Sequence, residues 1–486
     1  MRGLVPAGRW PAPLHADPGQ TLPEVWAGLW AARPDAVVLV DGWDRTRTVD
    51  AATLDGRTAA LASVLAERGV RPGDRVLWRA RATLSSVEAL VAVLRSGAVL
   101  VPLSPSATAS EIDHVVDDAG PVLAVCDRDR REAFGGVRAV LPVDELARVA
   151  AGTPAAAAPA LRPEDDALIV YTSGTTGTPK GAVHTHASLL AGVSSVRTAW
   201  GWEPADRLVL CLPLFHVHGL CAGLFGTLAA GASTILFDRF DEQAVLDAAP
   251  AATMLFGVPT MYHRLAGSGQ ASVLGALRLC VSGSAPLSAD LWHRLAGEGV
   301  AVLERYGMTE TLLTLSNPLE GERRPGSVGL PLPGVEAAVD DADEHGIGEL
   351  VVRSASVCRG YWGRDARTPG DWYATGDLVS VAADGDVSVR GRRTELIITG
   401  GHNVYPAEVE AVLSRHPGVV EVAVVGVPSA EWGETVVAYV VGDPDLGTLG
   451  ELAAAELAPF KCPREVRLVD ALPRNALGKV IRAELR

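Results

Sequence analysis

Apolar and polar positions along the chain switch repeatedly between a helical period and a strand period. Ala59 to Arg68 carries its apolar residues at helical spacing, Arg75 to Trp78 reads as a strand, Ser85 to Ser96 is helical again, and Val99 to Leu103 is an apolar run of strand length. That rhythm predicts a βαβ unit of a wound α/β sheet. Ala150 to Pro163, rich in alanine and proline, reads as a surface linker before the apolar strand Ala167 to Tyr171.

Strand and helix signals continue to about Val339. Gly348 to Arg353 and Val387 to Val389 then predict short β elements, with a turn at Asp384 to Asp386. The last hundred or so residues read as a separate small α+β unit. Its expected elements are a helix at Pro406 to Ser414, strands at Glu421 to Val427 and Thr435 to Val441, and a helix at Leu449 to Leu457. No internal repeat is visible.

Length sharpens this picture, because 486 residues exceed the size at which a single core stops growing, about 250 to 300 residues. Hydrophobic residues make up 48% of the chain, and its apolar runs are broken before the roughly 18 residues a membrane span needs. Met1 to Leu14 lacks the apolar core of a secretory signal, so a cytoplasmic protein is expected. The six cysteines show no CxxC pair and read as reduced, packed thiols. A net charge of −15 without a dense basic block argues against a nucleic-acid surface, and no membrane partner is expected. An anionic substrate must therefore be held by local groups.

The sharpest local feature is Tyr171-Thr-Ser-Gly-Thr-Thr-Gly-Thr-Pro-Lys180-Gly181, directly after an apolar strand. Its glycines open backbone conformations closed to other residues, and its hydroxyls and lysine suit phosphate oxygens, although the spacing is not that of a P-loop. On composition alone a plain Ser/Thr/Gly loop is as good a reading.

The segment resembles the phosphate-binding signature of the superfamily of acyl-CoA synthetases, nonribosomal-peptide adenylation domains and luciferases. Further segments resemble that superfamily's motifs in its own order: Ser282-Gly283-Ser284-Ala285-Pro286, Arg305-Tyr306-Gly307-Met308-Thr309-Glu310-Thr311, Trp372-Tyr373-Ala374-Thr375-Gly376-Asp377, Gly391-Arg392-Arg393-Thr394-Glu395-Leu396-Ile397, Gly400-Gly401-His402-Asn403-Val404-Tyr405-Pro406 and Pro473-Arg474-Asn475-Ala476-Leu477-Gly478-Lys479-Val480. Thr48 to Leu54 departs from the superfamily's usual aromatic, Glu-rich start of the first helix.

The resemblance implies a large N-terminal domain, residues 1–391, of wound α/β subdomains plus β elements. A small mobile C-terminal α+β domain, residues 392–486, would carry the catalytic lysine and pivot near Thr394. It implies that Thr172, Ser173, Gly174, Thr176, Gly177 and Lys180 hold ATP phosphates, and that Ser282, Gly283, Ser284, Ala285, Arg305, Tyr306, Gly307, Met308 and Thr309 form the adenine side. Asp377 and Arg392 would hold the ribose, and Thr175 and Glu310 the Mg2+ ion. Lys479 would act on the α-phosphate in catalysis, with Glu310, Thr175 and His216 beside it. Gly400, Gly401 and His402 would line the coenzyme A (CoA) tunnel after the small domain turns.

The acid is expected among Arg239, His216, His218, Arg305 and Ser282, a set similar to that of malonyl-CoA synthetases. Arg239 at a strand end is expected to take the far carboxylate of a short diacid such as malonate or methylmalonate. The plainer reading has Arg239 paired with Asp238 or Asp241 at the surface. Still open are another small acid or an oxyanion such as nitrite, an amine or carrier-protein acceptor, and a monomeric or homodimeric state. A non-catalytic relative would have lost the phosphate loop, Glu310 or Lys479, and all are present.

Overall fold

The apolar runs become the parallel strands of two sheets. The computed structural model describes residues 2–8, 10–11, 19–172, 179–429, 431–474 and 480–485, in two compact units. The larger unit comprises Pro6–Glu336 and Val352–Tyr373. The smaller takes in Ala374–Arg486 together with Met1–Val5 and Ala337–Val351.

In the larger unit the helix predicted at Ala59 to Arg68 runs over Ala51–Glu67, because Asp50 caps it by accepting the Thr53 amide at 2.7 Å. The strand Arg75–Arg79, the helix Leu84–Arg95 and the strand Val99–Pro102 follow as the pattern predicts. These strands sit in a seven-stranded sheet. Its order is Gly360–Tyr361, Lys180–Thr185, Asp166–Thr172, Val99–Pro102, Arg75–Arg79, Leu123–Cys126, Ala139–Pro142. A nine-stranded sheet has six consecutive parallel strands at its centre: Val302–Met308, Leu279–Ser282, Met254–Gly257, Arg207–Leu210, Ser233–Leu236 and Val37–Asp41.

One continuous buried cluster joins Leu39, Leu208 and Val281 of the nine-stranded sheet to Trp78, Leu100 and Leu168 of the other through helix residues such as Leu54 and Leu90. Alternate residues of the seven-stranded sheet point the other way, where Leu77, Val101 and Ile169 meet Ile112 and Val115 of the helix Ala109–Ala119. Among the described residues no helix is long and apolar enough to cross a membrane. All six cysteines are free, five of them buried.

In the smaller unit, Gly3–Leu4, Val335–Asp340, Gly348–Ser354, Tyr373–Val381 and Val387–Arg392 form one sheet. A second sheet is built on the long hairpin Val419–Ser429 and Gly433–Gly442. Its two faces are covered separately. Val424, Val436 and Val440 pack on Val409 and Leu413 of the helix Pro406–Leu413 and on Leu449 of the helix Leu446–Glu456. Val425, Val437 and Tyr439 pack on Leu472 and Leu485.

Candidate active site

Ser173, Gly174, Thr175, Thr176, Gly177 and Lys479 lie outside the described residues. The base of the phosphate-loop segment is well defined. Thr172 sits opposite Lys180, and Tyr171 opposite Gly181, in antiparallel register. The Tyr171 hydroxyl donates to Asp118 at 2.5 Å, and His114 Nε2 contacts the Pro179 carbonyl at 2.8 Å. Both partners belong to the helix Ala109–Ala119, so that helix holds the two ends of the segment.

The strand Val302–Met308 delivers Arg305, Tyr306, Gly307 and Met308 and then turns through Thr309 and Glu310. A register shift at Tyr306/Gly307 bends it against Leu312–Ser316. Glycine is required at 307, because a Cβ there would stand 2.1 Å from the Leu312 carbonyl oxygen. His184 fixes the Thr309 carbonyl at 2.8 Å, and the Cys358 amide donates to the Glu310 carbonyl at 2.7 Å. Glu310 itself is buried and accepts a 2.9 Å hydrogen bond from the Tyr361 hydroxyl. One hydroxyl donor leaves most of the carboxylate's lone pairs open, so Glu310 fits the role of a hard-metal ligand.

Next to this strand runs Leu279–Ser282, followed by Gly283, Ser284 and Ala285. Ser284 takes φ +70°, an uncommon conformation outside glycine. A Cβ at Gly283 would lie 2.4 Å from the Arg305 guanidinium, so the glycine leaves that side chain its room. The turn is tied down by Glu304, whose carboxylate accepts from the amides of Leu287 (3.3 Å) and Gly326 (3.1 Å). Burial outweighs those two donors and pushes the Glu304 carboxyl up to about 7.

Arg305 is the most unusual side chain of the unit. It is 5% exposed, and its Nε and Nη2 have no hydrogen-bond partner among the described residues. Burial pushes its guanidinium down to about 9. Near it in the electrostatic sense are His216, pushed down to about 4 by burial and then by Arg305, and His218, driven still lower by the same causes. Both imidazoles are neutral at pH 7. His218 opens the π-helical segment His218–Phe225, is buried against the Phe256 ring, and leaves both ring nitrogens unpartnered; the Ser282 hydroxyl is likewise buried and unpartnered. A charged guanidinium, an imidazole and a hydroxyl with atoms left unpartnered among the described residues make a site suited to a small anion.

Arg239 does not match the setting expected of it. Its side chain is 67% exposed, pairs with Asp238 at 3.4 Å and lies over the Trp43 ring at 4.4 Å. It lies in a bend three residues beyond the strand Ser233–Leu236, and its neighbourhood is solvent and an indole face, which corrects the expectation of a strand-end arginine in apolar surroundings.

Within the smaller unit, Asp377 sits opposite Arg392 on adjacent strands, joined by a 3.0 Å ion pair, and Arg392 also donates to the Thr375 carbonyl at 3.0 Å. Gly400 and Gly401 take φ +55° and +80° at the tip of a tight hairpin between Ile397–Thr399 and His402–Val404. The expected loop is thus a β-hairpin, with His402 stacked on Phe460 at 4.4 Å.

Motif and fold converge on one comparison. The AMP-binding enzyme model matches residues 27–362, and the model of that family's C-terminal domain matches residues 408–479. The chain belongs to the AMP-binding enzyme family. It is an acyl-CoA synthetase, and adenylate-forming enzymes of this kind use ATP and CoA. The chain is 37% identical to a feruloyl-CoA synthase of Amycolatopsis over 90% of its length and 93% of that protein. It is 34% identical to a malonate–CoA ligase of Arabidopsis thaliana over 86% and 78%. The crystal structure of ATP-bound MatB from Rhodopseudomonas palustris superposes with a TM-score of 0.90, at 37% identity, covering 96% of this chain and 98% of that one.

Tyr361, His184 and Glu304 escape a reading of the sequence. They stand outside the motif cores or face away in a strand, and only the fold brings them to Glu310, Thr309 and the turn after Ser282.

Proposed function

We propose that the chain joins a short dicarboxylic acid, malonate or methylmalonate, to CoA through an acyl-AMP intermediate. One observation carries the choice of acid: Arg305 is buried, cationic and unpaired beside unpartnered His218 and Ser282. A distal carboxylate would complete that site, whereas a ferulate or fatty-acid tail would leave the guanidinium without a counter-charge.

In this reading the proximal carboxylate of the acid attacks the α-phosphate of ATP, releasing pyrophosphate, and the thiol of CoA then displaces AMP. Arg305, with neutral His216, His218 and Ser282, orients the acid through its far end. Tyr306 and the Gly283 to Ala285 turn face the adenine, and Asp377 with Arg392 the ribose. Thr172, Lys180 and the loop residues Ser173, Gly174, Thr176 and Gly177 take the phosphates. Glu310 and Thr175 would hold magnesium, which supplies charge neutralisation on the phosphate oxygens when bound. Lys479 stabilises the displacement in the first half-reaction. The hairpin Gly400 to His402 lines the path of CoA in the second, with residues 392–486 moving about Thr394. A cytoplasmic enzyme is part of the same reading.

Pyrophosphate exchange and thioester formation with malonate, methylmalonate, propionate, ferulate and nitrite, each with and without CoA, test the proposal. Malonate-class acids should lead by at least tenfold and yield CoA thioesters. Equal use of propionate would refute the diacid; pyrophosphate exchange without CoA is expected of the first half-reaction, but sustained release of AMP without a thiol would refute the acceptor.

A further inference from the structure

Glu310, Tyr361 and Lys180 come from three distant segments, and the fold of the larger unit brings them to one ring. The short strand Gly360–Tyr361 pairs antiparallel with Lys180–Thr185, setting Tyr361 opposite Ala182. Its hydroxyl donates to Glu310 Oε1 at 2.9 Å and lies 3.4 Å from the Tyr373 hydroxyl. Lys180 Nζ stands 5.7 Å from the centre of the same ring. Among the described residues no ion pair joins Lys180 to Glu310, although both approach one side chain.

An ammonium and a carboxylate this close to a common ring would gain by pairing directly. Paired, each would cancel the charge the other needs to offer the nucleotide. A neutral hydroxyl orients a carboxylate without neutralising it, and an aromatic face attracts an ammonium without transferring a proton. The backbone is already fixed on both sides of the Glu310 side chain, by His184 on Thr309 and by the Cys358 amide on Glu310. The side chain is the remaining freedom, and Tyr361 removes it.

We propose that Tyr361 is a positioning residue for nucleotide binding: its hydroxyl aims the Glu310 carboxylate and its ring keeps Lys180 separate, so that both charges remain available to the phosphates and their cation. This rests on the reading of Glu310 as a magnesium ligand and Lys180 as a phosphate contact. It is independent of which acid is used.

The experiment is calorimetric binding of ATP to the full chain, in excess magnesium and in EDTA, for the parent, Tyr361→Phe, Tyr361→Leu and Glu310→Gln. Tyr361→Phe keeps the ring and loses the hydroxyl. It should weaken ATP binding about tenfold in magnesium, the loss expected for one hydrogen bond to a charged group, and less than twofold in EDTA. Tyr361→Leu should weaken binding in both media, because Lys180 is then free to pair with Glu310. Parent-like binding by Tyr361→Phe in magnesium would overturn the proposal, and so would an equal loss in both media, which is the mark of a merely structural role. If Glu310→Gln keeps the full magnesium-linked gain, the reading of Glu310 fails and the proposal with it. If Glu310→Gln loses that gain while Tyr361→Phe keeps it, the assignment of Tyr361 alone fails.

Discussion

Replacing Arg305 with methionine should make the ligand-free protein more stable and the enzyme worse at its own reaction. The drop of the guanidinium from its ordinary value to about 9 amounts to roughly 5 kcal/mol of penalty on the charged form, an upper bound because the surroundings relax. At neutral pH, below the folded value, the group is charged in both folded and unfolded chains and the folded chain bears the whole penalty. The penalty is relieved only as pH rises through about 9. Methionine matches the arginine stem as far as Nε, with no charge and a flexible thioether. Removing an unpaired buried charge this way should recover about 1 to 4 kcal/mol, raising the melting temperature by a few degrees. The malonate reaction should lose roughly 2 to 5 kcal/mol in kcat/KM, about 30-fold or more, while propionate is unchanged or improved. Differential scanning fluorimetry with and without malonate, and kcat/KM for malonate, methylmalonate and propionate, provide the comparison. A lower melting temperature, or an equal fall for all three acids, would show that Arg305 supports the fold or the nucleotide instead.

Arg239→Ala should leave kcat/KM for malonate within about twofold, since an exposed arginine paired with Asp238 contributes at most about 1 kcal/mol; a selective loss of malonate would restore it to the site. Gly283→Ala places a methyl group against the Arg305 guanidinium and should lower malonate kcat/KM about tenfold, measured by kinetics. Glu304 is raised to about 7, so the folded chain binds more protons than the unfolded one and stability falls as pH climbs from about 4.5 to 7. Denaturant titrations of Glu304→Gln should show that loss, about 3 kcal/mol in the parent, largely removed. Lys479→Ala should bind ATP normally yet slow pyrophosphate exchange by on the order of 100-fold.

How far the residues speak for themselves differs between fold and site. Parallel strands buried on both faces are continuous apolar runs, so Val99–Pro102 and Asp166–Thr172 were legible within a residue or two. The first turns of Ala51–Glu67 were not, because their start depends on the Asp50 cap rather than on apolar spacing. Among site residues, Arg305 and Ser282 were visible through the motifs, but their lack of partners was not, since burial is a property of the folded neighbourhood. Arg239 failed for the same reason in reverse. The bend that follows the apolar strand Ser233–Leu236 opens onto solvent, and Trp43, nearly two hundred residues earlier, covers the guanidinium. Tyr361 had no signal at all, because its partner lies 51 residues away.

The pairing of Gly3–Leu4 with Ala338 and Val339 also sets a schedule for synthesis. The first strand of the smaller unit's sheet emerges more than three hundred residues before its partner, a wait of about 20 to 70 s at ordinary elongation rates. The larger unit meets the same timetable in milder form. Its chain through Glu336 is made before Val352–Tyr373 exists, so the nine-stranded sheet can assemble while Lys180–Thr185 still lacks Gly360–Tyr361 on its outer edge. On the ribosome, then, Glu310 is made before the tyrosine that holds it, and the surroundings of its carboxylate are among the last parts of the larger unit to be completed.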